Sequence, residues 1–172
     1  MDADWEPLDP GDRLRVGQLA ARLVLNEDFD PAEAVATASE LLAKGVDVNG
    51  VVVLACQPVD RAALNGSEVE DLFRAALEDL GLEVPSREAA GWIVARWIAR
   101  SMMDGAIPPG PGALRLWALW PDCQQPAELA EMLQLHDAWD ESVGPARAAA
   151  EAEILAFAPE VVAAADRNLA PG

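Results

Sequence analysis

His136-Asp137-Ala138-Trp139-Asp140-Glu141 is the run in this 172-residue chain whose residue types and spacing come nearest to doing chemistry. His136 and Asp140 stand four apart and so share a face if the segment is helical, a geometry that suits two ligands of one metal ion. Asp137 lies beside them, and Glu128 and Glu131 sit upstream on the same predicted helix. The chain holds a single histidine, which excludes a multi-histidine zinc centre and an HD-type phosphohydrolase. A metal bound here is therefore oxygen-ligated, of the Mg²⁺ or Ca²⁺ kind. Packing competes with ligation, because His136 also falls in a helical stripe with Met132, Leu133 and Trp139, where a lone histidine ordinarily sits half-buried. Packing is favoured. No catalytic residue, metal or cofactor is assigned, and His136, Asp137 and Asp140 stand as the candidates of a rival, metal-dependent enzyme.

Other nucleophiles lack a setting. Cys56 and Cys123 are too few for a disulfide framework or a multi-cysteine zinc site, and they suit a reduced compartment. Cys56 ends the apolar run Val51-Val52-Val53-Leu54-Ala55 and reads as core. Cys123 follows Pro121-Asp122 and could present a thiol, but its acidic surroundings do not favour a thiolate, so it reads as inert. Ser39, Ser67, Ser86, Ser101 and Ser142 have no G-x-S-x-G context, and Ser67 and Ser86 read as helix caps. There is no P-loop or dinucleotide fingerprint, and the prolines around Gly110 and Gly112 remove the amides that a phosphate cradle needs.

Charge narrows the partners. The chain carries 30 acidic and 12 basic residues, a formal net charge of −18. Such a field repels nucleic-acid phosphates and anionic lipid, and it favours a basic partner. Direct nucleic-acid or membrane binding is not expected; an acidic DNA mimic is a third reading. The N-terminus lacks the charge and apolar stretch of a signal peptide, and no run approaches the ~18 apolar residues of a membrane span. A cytoplasmic protein is expected.

Ala, Leu and Val dominate and tyrosine is absent, so the chain reads as all-α: a compact orthogonal bundle of seven or eight helices around a central Trp-rich helix at about residues 86–104. One helical domain is expected over residues 9–168, between a flexible 1–8 and a frayed 169–172. The first helix is predicted over Asp12 to Asn26. Asp30, Pro31 and Glu33 then read as cap, first residue and capping-box acid, with Gly45 as the stop. Residues 46–66 read as a short helix or irregular buried segment, since no second strand exists to pair with the β-branched run. Ser67 and Glu70 read as a capping box before the stripe Val69, Leu72, Phe73, Ala76, Leu77 and Leu80, which Gly81 ends. Ser86 caps the central helix. Gly105 to Ala113 reads as a turn, followed by helices carrying Ala113 to Trp120, Leu129 to Trp139, and Ala150 to Val161, the last kinked or split at Pro159.

Leu72-Phe73, Ala76-Leu77, Leu80-Gly81, Pro85-Ser86, Ala89-Ala90, and then Gly105, Ile107, Pro109, Gly112 and Ala113 form a pattern of a leucine-rich helix, a Leu-Gly stop and a Gly-x-Ile-x-Pro-x-x-Gly-Ala turn. Over residues 67–117 it resembles small acidic all-helical proteins of actinobacteria, most of them uncharacterised. The resemblance implies a helical fold and a bacterial cytosolic setting, and it carries no catalytic residue or cofactor. The remaining distinctive feature is tryptophan. Five of the six lie between Trp92 and Trp139, chiefly as core, with Trp92, Met103 and Trp120 the candidates for exposed anchors in a protein interface. The expectation is a non-enzymatic protein that binds another protein, basic where charge steers it, or itself, as an antitoxin, immunity factor or regulatory adaptor does.

Overall fold

The computed structural model describes residues 8–58 and 65–170. Among these the chain is all-α, with eight helices and no strand: α1 (Pro10–Leu25), α2 (Pro31–Ala43), α3 (Asn49–Ala55), α4 (Gly66–Asp79), α5 (Arg87–Met103), α6 (Pro109–Ala118), α7 (Ala127–Asp140) and α8 (Pro145–Asn168). They gather into two compact units, Met1–Pro85 and Ser86–Gly172, where the sequence suggested one domain over 9–168. No helix among the described residues is long and apolar enough to cross a membrane.

In the first unit α1 starts earlier than predicted, because Asp9 accepts the Asp12 amide at 2.9 Å and Pro10 takes the first helical position. The Asp9 carboxyl is held down at about 2 by hydrogen bonding with Asp12, its amide first and its side chain second, and then by Lys44, against an opposing desolvation. Lys44, 2.7 Å from the Asp12 carboxylate, is shifted the other way, upward from 10.5. The Asp9 contribution to stability is therefore complete above its ordinary 3.8 and is lost as the pH falls towards about 2. That of Lys44 is complete below 10.5 and lost as the pH rises past it. An NMR titration of the Asp9 carboxyl should find a midpoint well below 3.8 that rises in Lys44→Met; an unshifted midpoint in the native protein would contradict this cap.

Asp30 caps α2 as predicted, accepting the Ala32 amide at 3.0 Å. Glu33 does other work: it pairs with Arg22 at 2.9 Å, and Arg22 also donates to the Asp28 carbonyl, tying α1 to the loop before α2. Gly45 closes α2 in the left-handed conformation, φ 92°, with the Val46 amide reaching back to Leu41. The β-branched run forms α3. Val51 and Leu54 are buried while Val53 is exposed, the three-residue spacing of a helix; in a strand Val51 and Val53 would share a face. Cys56 is exposed, which corrects its reading as core: it follows the last residue of α3 on the side away from Val51 and Leu54. Asn65, and not Ser67, occupies the cap position of α4, and the Ser67 hydroxyl turns back to the Asn65 side chain at 2.9 Å, so no capping box forms. Leu8, placed by sequence in a flexible tail, joins the core of Val16, Leu19, Val35, Leu41, Leu54, Phe73 and Leu77. Residues 1–7, the rest of that expected tail, lie outside the described residues.

α5 organises the second unit. Ser86 caps it by accepting the Ala89 amide, and its buried arc of Ala90, Trp92, Val94, Ala95, Ile98, Ala99 and Met102 is wide enough to pack on both α6 and α8. The break after it is shorter than predicted. Gly105, φ 76°, ends α5, with the Ala106 amide returning to Ser101, and Pro109 already opens α6. Prolines in a first turn forfeit no intrahelical bond, so Pro109-Gly110-Pro111-Gly112 is helix where the sequence suggested turn. α7 lies on α6 and α8. α8 is one helix, neither ended nor split at Pro159, which is exposed while Ile154, Ala158, Val161 and Ala165 stay buried across it.

Candidate functional site

α7 turns His136 and Trp139 toward the start of α6. His136 Nδ1 lies 3.1 Å from the Gly110 carbonyl oxygen, which can only accept, so Nδ1–H is the donor. Trp139 lies over Gly110 so closely that a Cβ there would come within 2.3 Å of the ring. The indole donates to Glu151 at 3.1 Å, and the Arg147 guanidinium sits 4.7 Å from the ring centre. His136 and Trp139 thus clamp α7 onto α6. Asp137 and Asp140 are exposed beside them, and among the described residues no three His, Cys, Asp or Glu side chains converge where an ion could be held. The hydrogen bond to Gly110 leaves His136 Nε2 unassigned, and among the described residues no third ligand joins any two of His136, Asp137 and Asp140.

Of the expected anchors, Met103 is 51% exposed, but Trp92 is only 2% exposed and belongs to the core. Trp120 is half-buried, with its indole nitrogen out of contact with solvent. Among the described residues the exposed tryptophan is Trp117, 37% accessible, with Leu114 on the same helix at 41%. Pro111, Ala118 and Pro121 are exposed too, and the positions 111, 114, 117, 118 and 121 recur at helical spacing. The outward face of α6 is therefore an apolar strip, while Ala113, Leu116 and Leu119 hold the inner face. Sequence reasoning placed Trp117 with the core because α6 is apolar all round, with Arg115 its one charge, so that either face could have been the inner one. The Arg115 guanidinium packs 5.4 Å from the Trp97 ring centre at the edge of this face.

Comparisons with protein families, with curated proteins and with solved structures each find no match to this chain.

The two cysteines differ sharply. Cys123 is buried with Gly91 closed over its sulfur, and burial first, then Asp122 and Glu88, push its thiol up to about 12. Cys56 is open to solvent. A thiol reagent at neutral pH should modify Cys56 in the native protein and reach Cys123 only on denaturation. Rapid native modification of Cys123 would contradict the packing around Gly91.

Proposed function

We propose that the protein acts by binding another protein, and that the outward face of α6 is where it does so. The observation that carries this is the exposure of Leu114 and Trp117 in one strip with Pro111, Ala118 and Pro121, on a chain of net charge −18. A protein this charged has ample polar surface with which to cover a helix, and an aromatic residue left in solvent among aliphatic neighbours is the usual composition of an interface centre. The setting is bacterial and cytosolic, and the role is that of an antitoxin, an immunity factor or a regulatory adaptor. A photoreactive phenylalanine analogue at position 117, used in native lysate, should give a discrete adduct that Leu114→Asp abolishes. Labelling no different from that of the same probe at Glu153, on an exposed position of α8, would count against the proposal.

A further inference from the structure

We infer that the α6 face and the acidic side of α7 together form a docking surface for a cationic amphipathic helix; this rests on the binding role proposed above. Three observations converge. Residues 105–121 contain no Asp or Glu, so the strip is apolar without a competing anionic charge. Residues 116–146 contain no Lys or Arg, and the end of α7 with its C-cap carries Asp137, Asp140 and Glu141 exposed, none of them in an ion pair among the described residues. Lastly, α6 and α7 run antiparallel in contact, since Gly110 near the start of α6 meets His136 and Trp139 in the last turns of α7. Asp137 and Asp140 each follow one of those two contact residues, about 100° further round the helix. An apolar strip and a group of carboxylates that form no ion pair thus lie on adjoining helices, with Arg147, held over Trp139 and 3.4 Å from the Asp140 carbonyl oxygen, and Arg115 as the cations beside them.

The complement is specific. From residue 111 to 118 the strip on α6 spans about 10 Å, which two turns of a partner helix cover. Such a helix would set Leu-type side chains at i, i+3 or i+4, and i+7 over Leu114 and Trp117, and Lys or Arg about 100° away over the α7 carboxylates. A second copy of the chain meets the electrostatics badly, because each copy brings net charge −18 and its own α7 carboxylates. A cationic helix is drawn in by the same field.

The test is fluorescence anisotropy with a labelled Leu/Lys peptide of about 18 residues patterned at helical spacing, alongside a scrambled peptide of the same composition. The patterned peptide should bind saturably, at least about tenfold more tightly than the scrambled one, and more weakly as salt is raised. Leu114→Ser with Trp117→Ser should weaken it at least about tenfold, and so should Asp137→Asn with Asp140→Asn and Glu141→Gln, each variant keeping its helical circular dichroism. Equal binding of both peptides, or no effect of the α6 variant, would overturn the inference by reducing the association to bulk charge. Failure of the peptide with survival of the position-117 adduct would overturn it while leaving the binding role intact. A dimer lost in the α6 variant would give the face to a second copy, and that also overturns it.

Discussion

Gly50→Ala should lower the stability of the Met1–Pro85 unit by about 2–3 kcal/mol, although it replaces a glycine inside a helix by the best helix former. Propensity alone predicts a gain of up to about 1 kcal/mol. Packing reverses the sign. A Cβ at position 50 would stand 2.6 Å from the Ala76 Cα and 2.7 Å from its nitrogen, both main-chain atoms in the interior of α4. No rotamer can relieve a contact with backbone, so α3 has to move away. Moving it uncovers Val51 and Leu54, each about 1% exposed, and stretches the 2.7 Å hydrogen bond from the Gly50 amide to Asp79. Gly17→Ala is the control, since Gly17 lies mid-helix in α1 and a Cβ there would meet nothing within 4 Å. Propensity should act alone at that position, raising stability by up to about 1 kcal/mol. Urea unfolding followed by far-ultraviolet circular dichroism measures both. A Gly50→Ala protein as stable as the parent would show that α3 and α4 are not in this close contact.

The same opposition between local preference and packing marks what the sequence could disclose. Asp30 and Ser86 as caps, and Gly45 and Gly81 as stops, were legible because a cap is decided within a few residues of itself. Ser67 misled for an equally local reason: Asn65, two residues earlier, is a competing cap, and either choice leaves the apolar stripe in register. The β-branched run at α3 was ambiguous until α2 and α4 supplied faces for Val51 and Leu54 to bury against. At the candidate site the difficulty was directional. His136 and Asp140 do lie on one helix, as their spacing requires, yet whether that spacing makes a metal site depends on what other helices bring to it, and among the described residues they bring no third ligand. For the tryptophans the pattern names the helix and not the side. The wide apolar arc of α5 takes Trp92 into the core, whereas α6 has apolar residues on both sides and room in the core for one of them.

Leu116 and Trp117 turn that last point into a measurement, because they are adjacent in sequence and both large and apolar, yet one is buried and the other exposed. Leu116 is 0% exposed, so Leu116→Ala opens a cavity and should cost about 2–5 kcal/mol. Trp117 is 37% exposed, so part of the side chain that Trp117→Ala removes already faces water, and the loss should stay at about 1–2 kcal/mol although the side chain deleted is much larger. Binding should reverse the order: Trp117→Ala should weaken capture of the cationic helix, whereas Leu116→Ala should retain it wherever the protein is folded. Denaturant titration followed by the remaining tryptophans gives the first comparison, and peptide anisotropy gives the second. If Trp117→Ala proved as destabilising as Leu116→Ala, Trp117 would be a core residue, and the α6 face would lose the anchor on which its role as a docking surface depends.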